Sequence, residues 1–449
     1  MPFKIKKKEI LNFETPQEMY SDYRSRTING LINYQSDVID NYMKQGYKEP
    51  DVALELPTGS GKTLIGLVLG EFRRKKNKER VVYLCPTKQL VNQVVEQSRT
   101  KYGIKAHAFL GTQSKYDRIK SSDYNSAECI AVTTYSGLFN NNSFFSNADI
   151  IILDDAHSSE SYIASCWTLE ISRYDHKELF NSLVENLKDV IGNSSYSRMT
   201  STYSPSDELS WCEKVPTIKI ADRIEEIKSI IDSNVETTNL RYAWANIRNH
   251  LQACNIFINW NTILIRPYIP PTMNNKGFKN AKQRLYMSAT LGISGELERI
   301  TGISKITRLP MVSGWDKKGL GRRFFIFPQA SLDNEGVHEL LVKMTEVVDR
   351  TLVLVQDNKG AEKIKSFYQK NTDCTVFSSK EIEQTKKPFI ESKKAVAILA
   401  NRYDGIDLSD DECRLLIIYN LPKSTHLQER FITTRMAASV LFNERVKTR

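Results

Sequence analysis

Four residues in the first third of the chain could act together on a phosphate: Lys62, Thr63, Asp154 and Asp155. The lysine and threonine close the run Pro57-Thr58-Gly59-Ser60-Gly61-Lys62-Thr63. Glycines in such a run let backbone N–H groups close around a phosphate with no Cβ in the way. Lys62 would neutralise the β and γ oxygens of a bound ATP, and the Thr63 hydroxyl would take a position on magnesium. Thr58, Gly59, Ser60 and Gly61 complete the cradle, and a helix beginning here adds its positive end. The full eight-residue phosphate-loop pattern opens on glycine, where this chain has Leu56. Asp154 and Asp155 end the apolar run Ile150-Ile151-Ile152-Leu153. Carboxylates at a strand's carboxyl end face the edge where a phosphate loop lies. Asp154 would hold the magnesium and Asp155 would polarise the attacking water. A mere turn at the glycines and a helix cap at the acids are the plainer alternatives, and the flanking elements weigh against them.

Such chemistry needs a sheet that brings residues 58–63 and 154–155 to one edge. Val52 to Leu56, Val81 to Cys85, Cys129 to Thr133 and Ile150 to Leu153 read as buried strands. Leu64 to Phe72 and Lys88 to Arg99 between them have helical periods. Strands alternating with helices imply a parallel sheet covered on both faces. From Ser158 to Lys282 the chain is mostly helix-period and charged, as in His176 to Ile191, Ile220 to Ile231 and Leu240 to Trp260. Leu285 to Ser288 returns to the sheet. A second α/β run offers strands at Phe324 to Phe327, Leu352 to Val355, Thr375 to Phe377, Val396 to Leu399 and Leu415 to Tyr419. The expected organisation is a lead-in over 1–30, a first domain over 31–157 and 283–312, a helical insertion over 158–282, a linker over 313–322, and a second domain over 323–449.

At 449 residues the chain exceeds one ordinary core, and its 40% apolar content can fill more than one. The net charge of +10 suits a polyanionic partner such as nucleic acid. Seven scattered cysteines argue for reduced thiols, and the charged start and the lack of a long apolar run predict a cytoplasmic chain without a membrane span. Arg73-Arg74-Lys75-Lys76 reads as a solvated helix end.

Taken together, the segments resemble the superfamily 2 helicases of the DEAD/DEAH type. Residues 56–63 look like motif I, Pro86-Thr87-Lys88-Gln89-Leu90 like motif Ia, and Thr133-Thr134-Tyr135-Ser136 like motif Ib. Asp154-Asp155-Ala156-His157 is similar to motif II, Ser288-Ala289-Thr290 to motif III, and residues 401–408 to motif V. The resemblance implies an α/β fold of two RecA-like parallel-sheet domains, with the helical insertion in the first. It implies ATP and Mg2+ between the domains and a nucleic-acid strand, single-stranded DNA, across both. Gln35 would then read adenine, and Thr87, Thr133 and Thr134 would meet backbone phosphates. His157, Ser288 and Thr290 would couple the nucleotide state to closure, with Asp404, Gly405 and Asp407 acting from the second domain.

The large insertion and the form of motif V lean toward the XPD-like branch. Only Cys85 and Cys129 lie between motifs I and II, so the expectation is no iron–sulfur cluster. The insertion would be that branch's arch, or else a structural or partner-docking element. Two departures stand out. The family's usual glutamate is here Asp155, and no motif VI arginine pattern is found before Arg449. The sequence therefore reads as a motor fragment of a longer or split helicase, or as an ATPase that takes arginine fingers from a partner. A nucleotide-gated binding module with little hydrolysis is the alternative.

Overall fold

The computed structural model describes residues 13–202, 211–292, 295–313, 324–400, 410–420 and 426–436, with 408 and 438 besides. In chain order the strands are β1 Asp51–Glu55, β2 Val81–Cys85, β3 Ala106–Ala108, β4 Ile130–Thr134, β5 Ile150–Asp154, β6 Leu169–Ser172, β7 Glu213–Lys214, β8 Cys254–Ile258, β9 Thr262–Pro267, β10 Gln283–Ser288, β11 Thr307–Arg308, β12 Arg350–Val355, β13 Thr375–Ser378, β14 Ala395–Ala400 and β15 Leu415–Ile418. The chain divides into two compact units, 1–160 with 272–321 and 161–271 with 322–449. Residues 161–271 of the expected insertion therefore group with the second unit, and its ends, 158–160 and 272–282, stay with the first.

The first unit is built on a seven-stranded sheet of order β11-β1-β10-β5-β2-β4-β3, parallel throughout. Its central strands are buried on both faces, which is why they read as unbroken apolar runs. The helix Lys62–Asn77 packs closely on this sheet, because a Cβ on Gly66 would come within 2.5 Å of Met287 Cε. The lead-in is part of this core: Phe13, Met19 and Tyr20 are buried in the same cluster as Val68 and Phe72.

The basic run is solvated only at its end, where Lys76 is exposed. Arg73 and Arg74 are buried, bound to Glu79 and Glu71, and Lys75 lies over the Tyr23 ring. A helix end facing the sheet's neighbours can bury guanidinium groups provided that carboxylates meet them.

The second unit holds a four-stranded parallel sheet, β13-β14-β12-β15, with apolar clusters on both faces. Aspartates cap two of its helices: Asp333 takes the Gly336 amide and Asp357 the Gly360 amide. Phe324 to Phe327, expected as a strand, lies outside the sheet and is exposed. Strand propensity without an edge to pair with does not make a strand.

The inserted part is not all helical. Its helices accompany an antiparallel sheet of order β6-β9-β8-β7. The run from Leu240 keeps its α-helix only to Ile247, tightens to a 3-10 helix over Arg248–Ala253 and becomes strand at Cys254. Asn259 turns the β8–β9 hairpin by accepting from the amides of Asn261 and Thr262. The helix Leu427–Thr434 packs on this sheet, with Phe431 5.7 Å from Phe257 and Arg435 donating to the Cys212 carbonyl. No helix among the described residues is long and apolar enough to cross a membrane.

Candidate nucleotide site

The phosphate loop leaves β1 where Leu56 donates its amide to the Ser288 carbonyl at 2.8 Å, so motifs I and III share one sheet edge. Gly59 and Gly61 have φ of +81° and +85°, a region that favours glycine. Gln35 is buried against the loop: its Nε2 donates to the Ser60 carbonyl at 3.0 Å, and its Oε1 accepts from the Ile32 amide. A Cβ on Gly61 would lie 2.4 Å from that Nε2. The buried Ser60 hydroxyl has no protein partner among the described residues. Thr58 and Gly59 are exposed at the tip, and Thr63 is half-buried in the first turn of the helix.

β5 lies two strands from β1 and carries the acids to the same edge. Asp155 forms an ion pair with Lys62. Asp154 is buried, accepts from the Tyr83 hydroxyl at 2.9 Å, and its carbonyl accepts from Tyr135 Oη at 2.7 Å. Burial, then the Asp155 charge, push the Asp154 carboxyl up to about 7 against the pull of Lys62. Burial works against the Lys62 charge too, but Asp155 and Asp154 outweigh it and hold the ammonium above its ordinary range. Asp155 has φ +49° and ψ +44°, a conformation costing an L-residue about 1–2 kcal/mol. The fold therefore holds strain where the motif II acids turn.

His157 is buried and its Nδ1 meets Thr290 Oγ1 at 2.8 Å, so a side-chain link joins motifs II and III. Ser288 is buried at the end of β10. Thr87 caps the helix Lys88–Gln97 by accepting from the Leu90 amide. Thr133 and Thr134 part company: Thr134 is half-buried near Ser136, but Thr133 is buried and donates to the Phe109 carbonyl at 2.7 Å. Alternation along β4 turns neighbouring side chains to opposite faces, so the Thr133 side chain points inward and is not placed for the expected phosphate contact. Asp404, Gly405 and Asp407 lie outside the described residues.

Sequence reasoning did not assign Tyr83 and Tyr135, the two hydroxyls that fix Asp154. A tyrosine in an otherwise aliphatic strand is the one trace Tyr83 leaves.

A desolvated carboxylate, a loop hydroxyl without a protein partner and a lysine at a helix start fit a magnesium-bound polyphosphate as donor set. Residues 32–178 match the family model described as DEAD/DEAH box helicase. The fold is similar to the solved structure of S. tokodaii Xpd4, with TM-score 0.53 and 14% identity over 93% of this chain and 90% of that one. It is similar also to an XPD structure described as apo, with TM-score 0.51 and 14% identity over 89% and 86%. No curated protein sequence matches the chain. Residues 32–178 thus match the DEAD/DEAH box helicase model, and the chain has a fold of two RecA-like parallel sheets similar to that of these XPD structures.

Proposed function

We propose that the chain is an ATP-dependent helicase or translocase, or the motor part of one, that couples ATP hydrolysis to movement on single-stranded DNA. The observation that carries this reading is the ion pair of Lys62 with Asp155 directly beside the buried Asp154. A phosphate arriving at Lys62 would displace Asp155, which is then free to orient the attacking water and take its proton. Thr63 and Asp154 would hold magnesium, whose charge would offset that developing on the phosphate oxygens. The amides of Thr58 to Thr63 would cradle the phosphates, and Gln35 would report adenine binding to the loop through Ser60. His157, Ser288 and Thr290 would carry the nucleotide state across the first sheet, with Asp404, Gly405 and Asp407 answering from the second.

Thr87 and Thr134 are the threonines this reading keeps for nucleic-acid phosphates, and the net charge of +10 supports such a partner. Its two domains run over 31–157 with 283–312 and over 323–449, in a cytoplasmic protein. Arginine fingers would come from a protein partner.

The same ion pair also admits a second reading. If Asp155 stays on Lys62 after ATP binds, the chain is a nucleotide-gated binding module that hydrolyses little. Titration of a fluorescent ATP analogue with and without Mg2+, followed by hydrolysis with and without single-stranded DNA, tests both. Magnesium-dependent binding and DNA-raised turnover support the motor; binding without turnover supports the module. Absence of binding, unaltered by Lys62→Ala, refutes both.

A further inference from the structure

A second link, remote from the phosphate loop, ties the motif II turn to the segment that follows motif III. Arg299, in the helix Glu296–Thr301, donates through Nη1 to Glu160 Oε1 at 2.7 Å and through Nη2 to Glu160 Oε2 at 3.2 Å. The two side chains are 23% and 14% exposed, so solvent screens this two-pronged pair less than a surface one. Glu160 is the last residue of the first unit before the chain enters the second at Ser161. It also follows the strained turn closely. Asp155 has φ +49°, its carbonyl accepts from both the amide and the hydroxyl of Ser158, and the Ser159 hydroxyl donates to the Ala156 carbonyl. The helix Glu296–Thr301 packs against residues 156–158, its own end held where Thr272 donates to the Thr301 carbonyl.

We infer that Arg299 is a positioning residue for hydrolysis: by gripping Glu160 it fixes the downstream end of the Asp155 turn against the segment after Thr290. Local bonds inside the turn set its curvature but not its place against the phosphate loop. His157–Thr290 fixes one point of that place and Arg299–Glu160 the next. A left-handed, non-glycine residue persists only when its surroundings over-determine it, and these two points supply that beside the Lys62–Asp155 ion pair. Lysine keeps the charge of arginine but not its planar fork, so Arg299→Lys separates orientation from mere attraction.

The inference rests on the ATPase reading, and its test has one arm that does not. In single-turnover hydrolysis, Arg299→Lys is expected to slow the chemical step about ten- to a hundredfold, with ATP affinity within about twofold of the parent. The double variant Glu160→Ala with Arg299→Ala is expected to be no slower than either single variant, because the pair acts as a unit. In hydrogen exchange of the nucleotide-free protein, Arg299→Lys is expected to speed amides in both 155–160 and 288–292 and to leave 52–56 unchanged. Exchange that rises only within 296–301, additive losses in the double variant, or an unchanged chemical step each overturns the inference. A parent that binds ATP without turning it over counts against the ATPase reading, and the exchange arm then decides the positioning role alone.

Discussion

The Tyr83 hydroxyl donates to Asp154 Oδ2 at 2.9 Å, both residues being buried in neighbouring strands of the first sheet. The carboxylate that would hold magnesium is thus aimed by a side chain that is not itself a proposed ligand. Removing such a partner from a metal-holding carboxylate weakens the metal about 10–100-fold. Tyr83→Phe should therefore raise the Mg2+ concentration needed for half-maximal nucleotide binding about tenfold, with ATP binding in excess Mg2+ little changed. A Mg2+ titration of fluorescent-nucleotide binding reads this directly. An unmoved midpoint would show that Asp154 needs no such support.

The same burial predicts that this site costs the protein stability. Asp154 is raised to about 7 by burial and then by Asp155, from an ordinary value near 4 (about 3.9). A carboxyl raised on folding opposes the folded state once pH exceeds the unfolded value, and its cost grows until pH passes the folded one. Asp154→Asn should then melt higher than the parent in metal-free buffer at pH 8, by about 2–4 °C for each kcal/mol relieved. The gain should shrink toward pH 5, where the parent's Asp154 is protonated. Differential scanning fluorimetry with a chelator at both pH values checks the sign; a variant that melts lower at pH 8 contradicts it.

Asp155 forms an ion pair with Lys62, so it would compete with a phosphate for the same ammonium. Asp155→Ala should bind ATP at least as tightly as the parent and lose hydrolysis by about a hundredfold or more. Equilibrium binding and single-turnover hydrolysis on the same preparation separate the two effects. Hydrolysis that continues unchanged would place the base elsewhere.

How far the site could be foreseen depended on whether its signal was local. The phosphate loop, and the acids closing an apolar strand, are short patterns whose chemistry is written in adjacent residues. Tyr83 was not legible, because a strand buried on both faces loses the alternation that would separate a functional side chain from a packing one. Arg299 and Glu160 stand 139 residues apart, and no local pattern joins them. In the fold, buried parallel strands were plain as apolar runs. Cys254–Ile258 was absorbed into a helix-period stretch, since a short apolar run fits either element. Thr133 shows the converse. It has the right residue type in the right motif, but the pleat of β4 turns it inward.

The buried end of the first long helix makes a contrast that sequence would not suggest. Arg74 gives Glu71 a two-pronged bond, at 2.7 Å on each oxygen, and donates to the Ala127 carbonyl, while Tyr23 also donates to Glu71. Lys76, two residues on, reaches the exposed Glu14. Arg74→Ala leaves the Glu71 carboxylate buried without its countercharge, which costs about 3–5 kcal/mol. Lys76→Ala removes a surface pair worth less than about 1 kcal/mol. Urea unfolding of the two variants should therefore give a large fall in midpoint for the first and almost none for the second. Equal shifts would mean that the buried network adds no more than a surface charge.

Gly61 and Gln35 give the last test, because their closeness separates two reasons for a glycine. A Cβ at Gly61 would approach Gln35 Nε2 to 2.4 Å, and φ of +85° strains any L-residue there. Gly61→Ala should weaken ATP binding through both effects. Adding Gln35→Ala removes the clash and leaves the backbone strain, about 1–2 kcal/mol, in place. The double variant should thus recover part of the loop's order but not its affinity. Hydrogen exchange over 58–63 reads the order and nucleotide titration the affinity. Full recovery of both would show that crowding by Gln35, not the left-handed backbone, requires the glycine.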